Sequence, residues 1–319
     1  MIGRKTLLWT GALFISAGLF FLLLWNIGFS NVVRVFQGVR PGYLVISFFL
    51  YVLVLQLRGM RFSWIMGCSI PALSSLRVAA LHQFYSVYVP FRLGEASFLV
   101  VARNAYGAGV DRSIPVLIVS RLFDLLCVAL IGLTGLMFTI DASLNAYKTF
   151  FAVLAALTLI MALVLPKLSG IAGRKLKTLG DESSRSKLWS FGNVLVSASE
   201  MLAGGSGRYP MLVWYSVSSW LVSLVSFMFI LLSLSYGFNI SSGAVLFSLA
   251  NLMGVLAFFT VAGIGVSEAG LGAAIALQGM DLHQAMAYGL GIRVAMIVLL
   301  AAVTLFIELL YRLMNQASD

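Results

Sequence analysis

Seven charged side chains lie within or beside long apolar runs: Arg92, Glu95, Arg103, Arg121, Asp124, Glu268 and Arg293. A charge at membrane depth costs about 2.5–3.5 kcal/mol on insertion scales, so each needs a partner or a wet cavity. Their types allow pairing: Glu95 with Arg92 or Arg121, Asp124 with Arg121, and Glu268 with Arg293. Two of the groups sit where apolar segments break, at Pro90-Phe91-Arg92-Leu93-Gly94-Glu95 and at Gly263-Ile264-Gly265-Val266-Ser267-Glu268. A helix starting at such a break presents free N–H groups and partial positive charge, a ready anion site. Arginine forks match phosphate oxygens. The set therefore suits a phosphate-bearing or zwitterionic group, with the glutamates either neutralising the arginines or taking a proton. The competing structural reading is that the same pairs only hold helices together.

These residues are carried by spans. The 319-residue chain is 61% hydrophobic and 10% charged, which argues against a water-soluble fold. A spanning helix needs about 20 apolar residues. Six runs meet that length: Leu7–Gly28, Gly42–Trp64, Ser113–Ile140, Ala146–Leu165, Pro210–Tyr236 and His283–Tyr311. The first follows Arg4 and Lys5 and is too long for a cleavable signal, so it is read as an uncleaved span. The link Lys167–Tyr209 carries Lys167, Arg174, Lys175, Lys177, Arg185, Lys187 and Arg208, and by the positive-inside rule it is cytoplasmic, as is the N-terminus.

Parity then decides the two broken segments. With those ends inside, Pro71–Gly107 must begin and end on the cytoplasmic side, and Ser241–Gly279 on the outer side. Each is expected to be a re-entrant hairpin, the two entering from opposite faces. The few basic residues of the outer links (Arg34, Arg40, Lys148) agree, and the C-terminus falls inside near Arg312. The fold class expected is all-α and polytopic, with about six full transmembrane helices plus the two hairpins. It forms a single integral membrane domain over 1–319, made of repeat A at about 42–140 and repeat B at about 210–312. Glu95 and Glu268 are 173 residues apart, and Arg121 and Arg293 are 172 apart. Inverted repeats with discontinuous helices near the midplane are a transporter signature.

Several features read as structure. Cys68 and Cys127 are distant free thiols, and two histidines are too few for a histidine metal site. Arg58-Gly59-Met60-Arg61 with Trp64 closes a span at the inner face, where long basic side chains snorkel or touch headgroups. His82 in a hairpin arm reads as a packed polar contact, and His283 as an outer-loop residue. The glycines Gly263, Gly265, Gly270 and Gly272 let helices approach closely. The basic link is either a solvated loop or lies on anionic inner-leaflet lipids. No catalytic triad, metal cluster or phosphate-binding loop is present in the sequence, so neither an enzyme nor a cofactor is expected. The net charge of +10 is an orientation signal and does not imply nucleic acid.

Taken together, Arg58–Trp64, Pro90–Glu95, Ser120-Arg121-Leu122-Phe123-Asp124, Gly263–Ala269 and Arg293 resemble the flippase-like membrane domain of the lysylphosphatidylglycerol synthase transmembrane family, over about Gly3 to Arg312. The chain departs from the family pattern at Ser120, commonly Glu, and at Val261-Ala262, where a Pro is frequent. In two-domain relatives the membrane domain flips an aminoacylated phospholipid made by a separate cytosolic domain, which this sequence does not contain. The resemblance implies a lipid-moving protein of the plasma membrane acting on a phospholipid, polyprenyl-phosphate or other envelope lipid. It implies substrate-binding roles for Arg92, Gly94, Glu95, Arg121, Asp124, Gly265, Glu268 and Arg293. The alternatives are a non-transporting scaffold partner of an envelope-lipid biosynthetic enzyme and a secondary transporter of a small anion.

Overall fold

The structure is a computed structural model and describes residues 27–89, 93–138, 145–178, 196–201, 208–256 and 263–316, together with residues 18, 21, 22, 25 and 194. Most of the expected first span, Leu7–Gly28, lies outside the described residues, as do Pro90–Arg92, Val261-Ala262 and much of the basic link. Ten helices make up most of the described part: α1 Phe29–Gln37, α2 Pro41–Met66, α3 Ala72–Tyr88, α4 Leu93–Tyr106, α5 Val110–Met137, α6 Asn145–Thr178, α7 Arg208–Ser233, α8 Ile240–Leu256, α9 Val266–Ala276 and α10 Leu282–Gln316.

Among the described residues, five stretches are long and apolar enough to cross a membrane: Pro41–Met66, Val110–Met137, Ala146–Val164, Tyr209–Ser233 and Leu282–Gln316. They coincide with five of the six expected spans. Large apolar side chains stand exposed around them, including Phe49, Phe150, Leu157, Ile160, Trp214, Leu221 and Leu305. In water such a surface drives aggregation, whereas in lipid it is the solvated face. The chain is thus an all-α, multi-pass membrane protein.

The two broken segments each fold as a pair of helices packed on one another, α3 with α4 and α8 with α9. At 1.5 Å per residue, the 17-residue α3 reaches about 25 Å, short of the hydrocarbon thickness of about 30 Å. Gly94 sets the closeness of the first pair, because a Cβ there would overlap the backbone of Tyr85 on α3. At the second break Gly265 has φ +90°, a conformation that L side chains rarely adopt. It forms the N-cap of α9.

Helices α2 and α7 pack antiparallel along their length. The Arg40 N–H donates to Ser233 O at 2.7 Å, and the Ser235 hydroxyl to Gly38 O at 2.9 Å. Midway, Ser47 Oγ donates to Ser226 O at 3.0 Å and Ser226 Oγ to Ser47 O at 3.2 Å. At the other end Arg61 reaches Ser216 Oγ at 3.2 Å. Around this pair α3 lies on α10 while α8 lies on α5, and α2 and α7 each touch both α5 and α10. The core between them holds Leu55, Phe62, Phe98, Val119, Leu231, Leu246, Leu271 and Ile292.

Two links differ from expectation. The link after the first span, expected on the outer side, contains α1, whose Val32 and Val35 are buried, with α1 packed on α10 while Phe29 and Phe36 stay exposed. The basic link, expected to be cytoplasmic, begins as helix, because α6 continues past Leu165 to Thr178. Its Lys, Arg and Leu residues are good helix formers that need no apolar surroundings to stay helical. His283 is not in a loop: it belongs to the first turn of α10, where the Asp281 carboxylate accepts the N–H groups of His283 and Gln284 at 3.0 and 3.2 Å.

Candidate functional site

The charged residues gather in two clusters. The larger is built from α2, α3, α4 and α5 and closed by α7. Helical spacing places Arg58 and Arg61 three apart on α2, and Arg121 and Asp124 three apart on α5, so each pair shares a face. His82 and Gln83 come from α3 and Glu95 from the first turn of α4.

Asp124 is the centre of this cluster. Its Oδ1 accepts from Arg61 Nη1 at 2.7 Å and from Trp220 Nε1 at 2.8 Å, while Oδ2 lies 3.5 Å from Arg121 Nη1. The Arg61 side chain is 1% exposed. This overturns the reading of Arg61 as a snorkelling anchor: it points into the bundle, because α7 covers that face of α2 and supplies Trp220 and Ser216. Arg58 also turns inward, donating to Gln83 Oε1 at 2.8 Å, with its guanidinium 5.0 Å from the centre of the Trp220 ring.

Arg121 donates to Glu95 Oε1 at 2.5 Å, joining α5 to α4. Of the two partners open to Glu95, the described residues place Arg121 on it, and Arg92 lies outside them. His82 is buried with its Nε2 3.6 Å from Glu95 Oε2 and its ring packed on Phe62 and Phe98. Arg58, Arg61, Phe62, His82, Gln83, Ser120, Arg121 and Asp124 help line one narrow pocket. Three guanidinium groups thus face two carboxylates, leaving the pocket positive.

The second cluster is smaller. Glu268 is 1% exposed, and its Oε2 accepts the Gly265 N–H at 2.7 Å, closing the first turn of α9. Arg293 on α10 is buried within electrostatic range of Glu268, Tyr88 and Tyr51. Tyr51, on α2, is in turn within range of Arg58 and so stands between the two clusters. Tyr88 ties the end of α3 to α10 by donating to Ile297 O at 2.8 Å.

Of the expected residues, Glu95, Arg121 and Asp124 come together in the first cluster, and Gly265, Glu268 and Arg293 in the second. Gly94 has a packing reason of its own, at the crossing of α3 and α4. Arg103 is exposed and belongs to neither. Sequence reasoning missed Trp220, Ser216 and Tyr51, which look like ordinary span residues, and placed Arg61 at the surface. The one clue in the sequence was the i, i+3 pair of arginines on a span that otherwise carries no charge.

A search of the curated proteins and of the solved structures returns no match. The model of one family, the lysylphosphatidylglycerol synthase TM region, matches residues 9–304. That match takes in both clusters and most of the length of the described helices that build them. The chain belongs to the family of the lysylphosphatidylglycerol synthase transmembrane region.

Proposed function

We propose that this protein moves a phosphate-bearing membrane lipid between leaflets, through a passage between two oppositely oriented repeats at about 42–140 and about 210–312. It acts as a transporter rather than an enzyme, in the plasma membrane, with both termini cytoplasmic. The observation that carries the reading is the ionic cluster of Arg58, Arg61, Glu95, Arg121 and Asp124, with Arg61 and Asp124 buried and the others partly so, inside an otherwise apolar bundle. Charges at such depth are costly and are expected where a polar substrate must pass. Membership of a membrane-embedded family tied to lipid and envelope handling supports it.

The repeat arrangement has support of its own. The antiparallel seam of α2 and α7, and the alternation of α3 on α10 with α8 on α5, are what a two-fold axis in the membrane plane would generate. Arg77, near the start of α3, donates to Glu308, near the end of α10, through Nε and Nη2 at 2.7 and 2.8 Å. The far end of α5 meets the start of α8, where a Cβ on Gly135 would come within 2.8 Å of Ser241 O. These contacts favour hairpins that enter from opposite faces.

Reconstitution tests the function: purified protein in vesicles should carry a labelled phospholipid across the bilayer faster than protein-free vesicles do. A second reading is favoured by the Asp124 carboxylate, which Arg61 and Trp220 already hold from within the bundle without a ligand. On that reading the chain is a scaffold for an envelope-lipid enzyme. The enzyme would co-purify and lose activity with the scaffold, while the vesicles would show no lipid movement.

A further inference from the structure

Three buried polar atoms of the first cluster have no hydrogen-bond partner among the described residues: Nε of Arg58, Nε of Arg61 and Oγ of Ser120. All three belong to residues that line the same narrow pocket. Arg61 and Ser120 are 1% and 2% exposed. A buried donor left unmade costs about 1–3 kcal/mol, so three around one pocket mark a place where an acceptor belongs. The charge agrees. Asp124 is already taken by Arg61 and Trp220, and Glu95 by Arg121, so the third arginine is the surplus positive charge.

The two ion pairs are built differently. In Arg61–Asp124 the side chains are 1% and 10% exposed, and Trp220 of α7 holds the carboxylate from a third side. In Arg121–Glu95 they are 43% and 29% exposed, and the carboxylate comes from the short helix α4. A half-exposed carboxylate on a separate element exchanges more readily than one fixed by three helices. An incoming oxyanion would find the same guanidinium face on Arg121 that Glu95 now uses.

We propose that the pocket under Arg58, Arg61, Ser120 and Arg121, which as it stands has room for about one water, opens to bind a phosphate group, and that Glu95 is the internal anion which this group displaces from Arg121. Displacement releases α4 from α5 at that contact, so occupancy of the pocket sets the position of the first hairpin. The proposal rests on the transporter reading for a lipid as the source of the phosphate. The pocket chemistry is shared by free phosphate.

The test is binding, measured on the purified full chain in a neutral detergent by native mass spectrometry, with phosphatidylglycerol as probe and diacylglycerol as its phosphate-free control. Glu95→Gln should bind phosphatidylglycerol at least about tenfold more tightly than the unaltered chain. Adding Arg58→Gln should abolish that gain, and Glu95→Asp should stay near the unaltered affinity. Competition by inorganic phosphate assigns the site to the phosphate group as such, and its failure to compete assigns it to the lipid; either outcome supports the pocket. Equal or weaker binding by folded Glu95→Gln, or equal binding of diacylglycerol, overturns the proposal. Should Glu95→Gln not fold, the comparison moves to Ser120→Ala and Arg58→Gln, and undiminished phosphatidylglycerol binding by both overturns it. Binding that follows this pattern without lipid movement in vesicles would leave the pocket standing and remove the transporter reading. Movement combined with binding indifferent to Glu95 would do the reverse.

Discussion

Ser47 and Ser226 satisfy each other reciprocally: each hydroxyl lies within 3.2 Å of the other residue's carbonyl oxygen, and the two hydroxyls are 2.9 Å apart. Both are buried where α2 crosses α7. The relation is the same read from either helix, as expected of residues on a local two-fold axis. Small hydroxyl residues at such a crossing let the backbones approach and supply polar contacts in a setting without water.

A cysteine pair tests that crossing. In a chain with Cys68→Ser and Cys127→Ala, Ser47→Cys with Ser226→Cys should form a disulfide under mild oxidation, since a disulfide needs Cβ atoms about 3.5–4.5 Å apart. Peptide mapping by mass spectrometry should recover the cross-linked pair, and a displaced pair such as Ser47→Cys with Ser219→Cys should give none.

Breaking the Arg61–Asp124 pair should be costly. Asp124→Ala leaves the Arg61 guanidinium buried at 1% exposure without its carboxylate. Losing one partner of a buried pair costs about 3–5 kcal/mol. Thermal unfolding in detergent should show a large drop for Asp124→Ala, and a smaller one for the double change Arg61→Met with Asp124→Leu, which leaves no charge behind.

Gly94→Ala should be poorly tolerated, because its Cβ would meet the backbone of Tyr85, which cannot move aside as a flexible side chain can. Gly42→Ala is the matched control: nothing lies within 4 Å of its Cβ, and a helical Ala is favoured over Gly by about 1 kcal/mol. Yield of folded protein on gel filtration should fall for the first and hold for the second.

Glu268→Ala should loosen the start of α9. The Glu268 carboxylate accepts the Gly265 N–H and closes the first turn, a capping contact worth about 0.5–2 kcal/mol. Hydrogen exchange should speed up at the α9 N-terminus and leave α2 and α7 unchanged.

The spans were legible because their length and apolarity follow from the thickness of a bilayer, which Pro41–Met66 and Val110–Met137 simply match. The breaks were legible because Gly94 and Gly265 mark places where the backbone needs room or an unusual φ. The pairing of Glu95 with Arg121 was within reach of charge complementarity, although Arg92 competed for it equally. The role of Arg61 was not legible. Its burial depends on α7 arriving from about 155 residues away to place Ser216 and Trp220 on it. No local pattern separates a buried arginine near a span end from a snorkelling one. The continuation of α6 past Leu165 escaped notice for the opposite reason: hydropathy ends where lipid ends, while a helix of Lys, Arg and Leu does not.

Lipid movement itself is the most direct measurement. Vesicles containing the purified chain, with a fluorescent phosphatidylglycerol analogue quenched from one side, report the fraction of lipid that crosses with time. The unaltered chain should raise that rate well above protein-free vesicles, and Arg121→Gln should bring it back near the background while the protein remains folded. A rate equal to protein-free vesicles for the folded, unaltered chain, across anionic and zwitterionic phospholipids and polyprenyl phosphate, would contradict the transporter account.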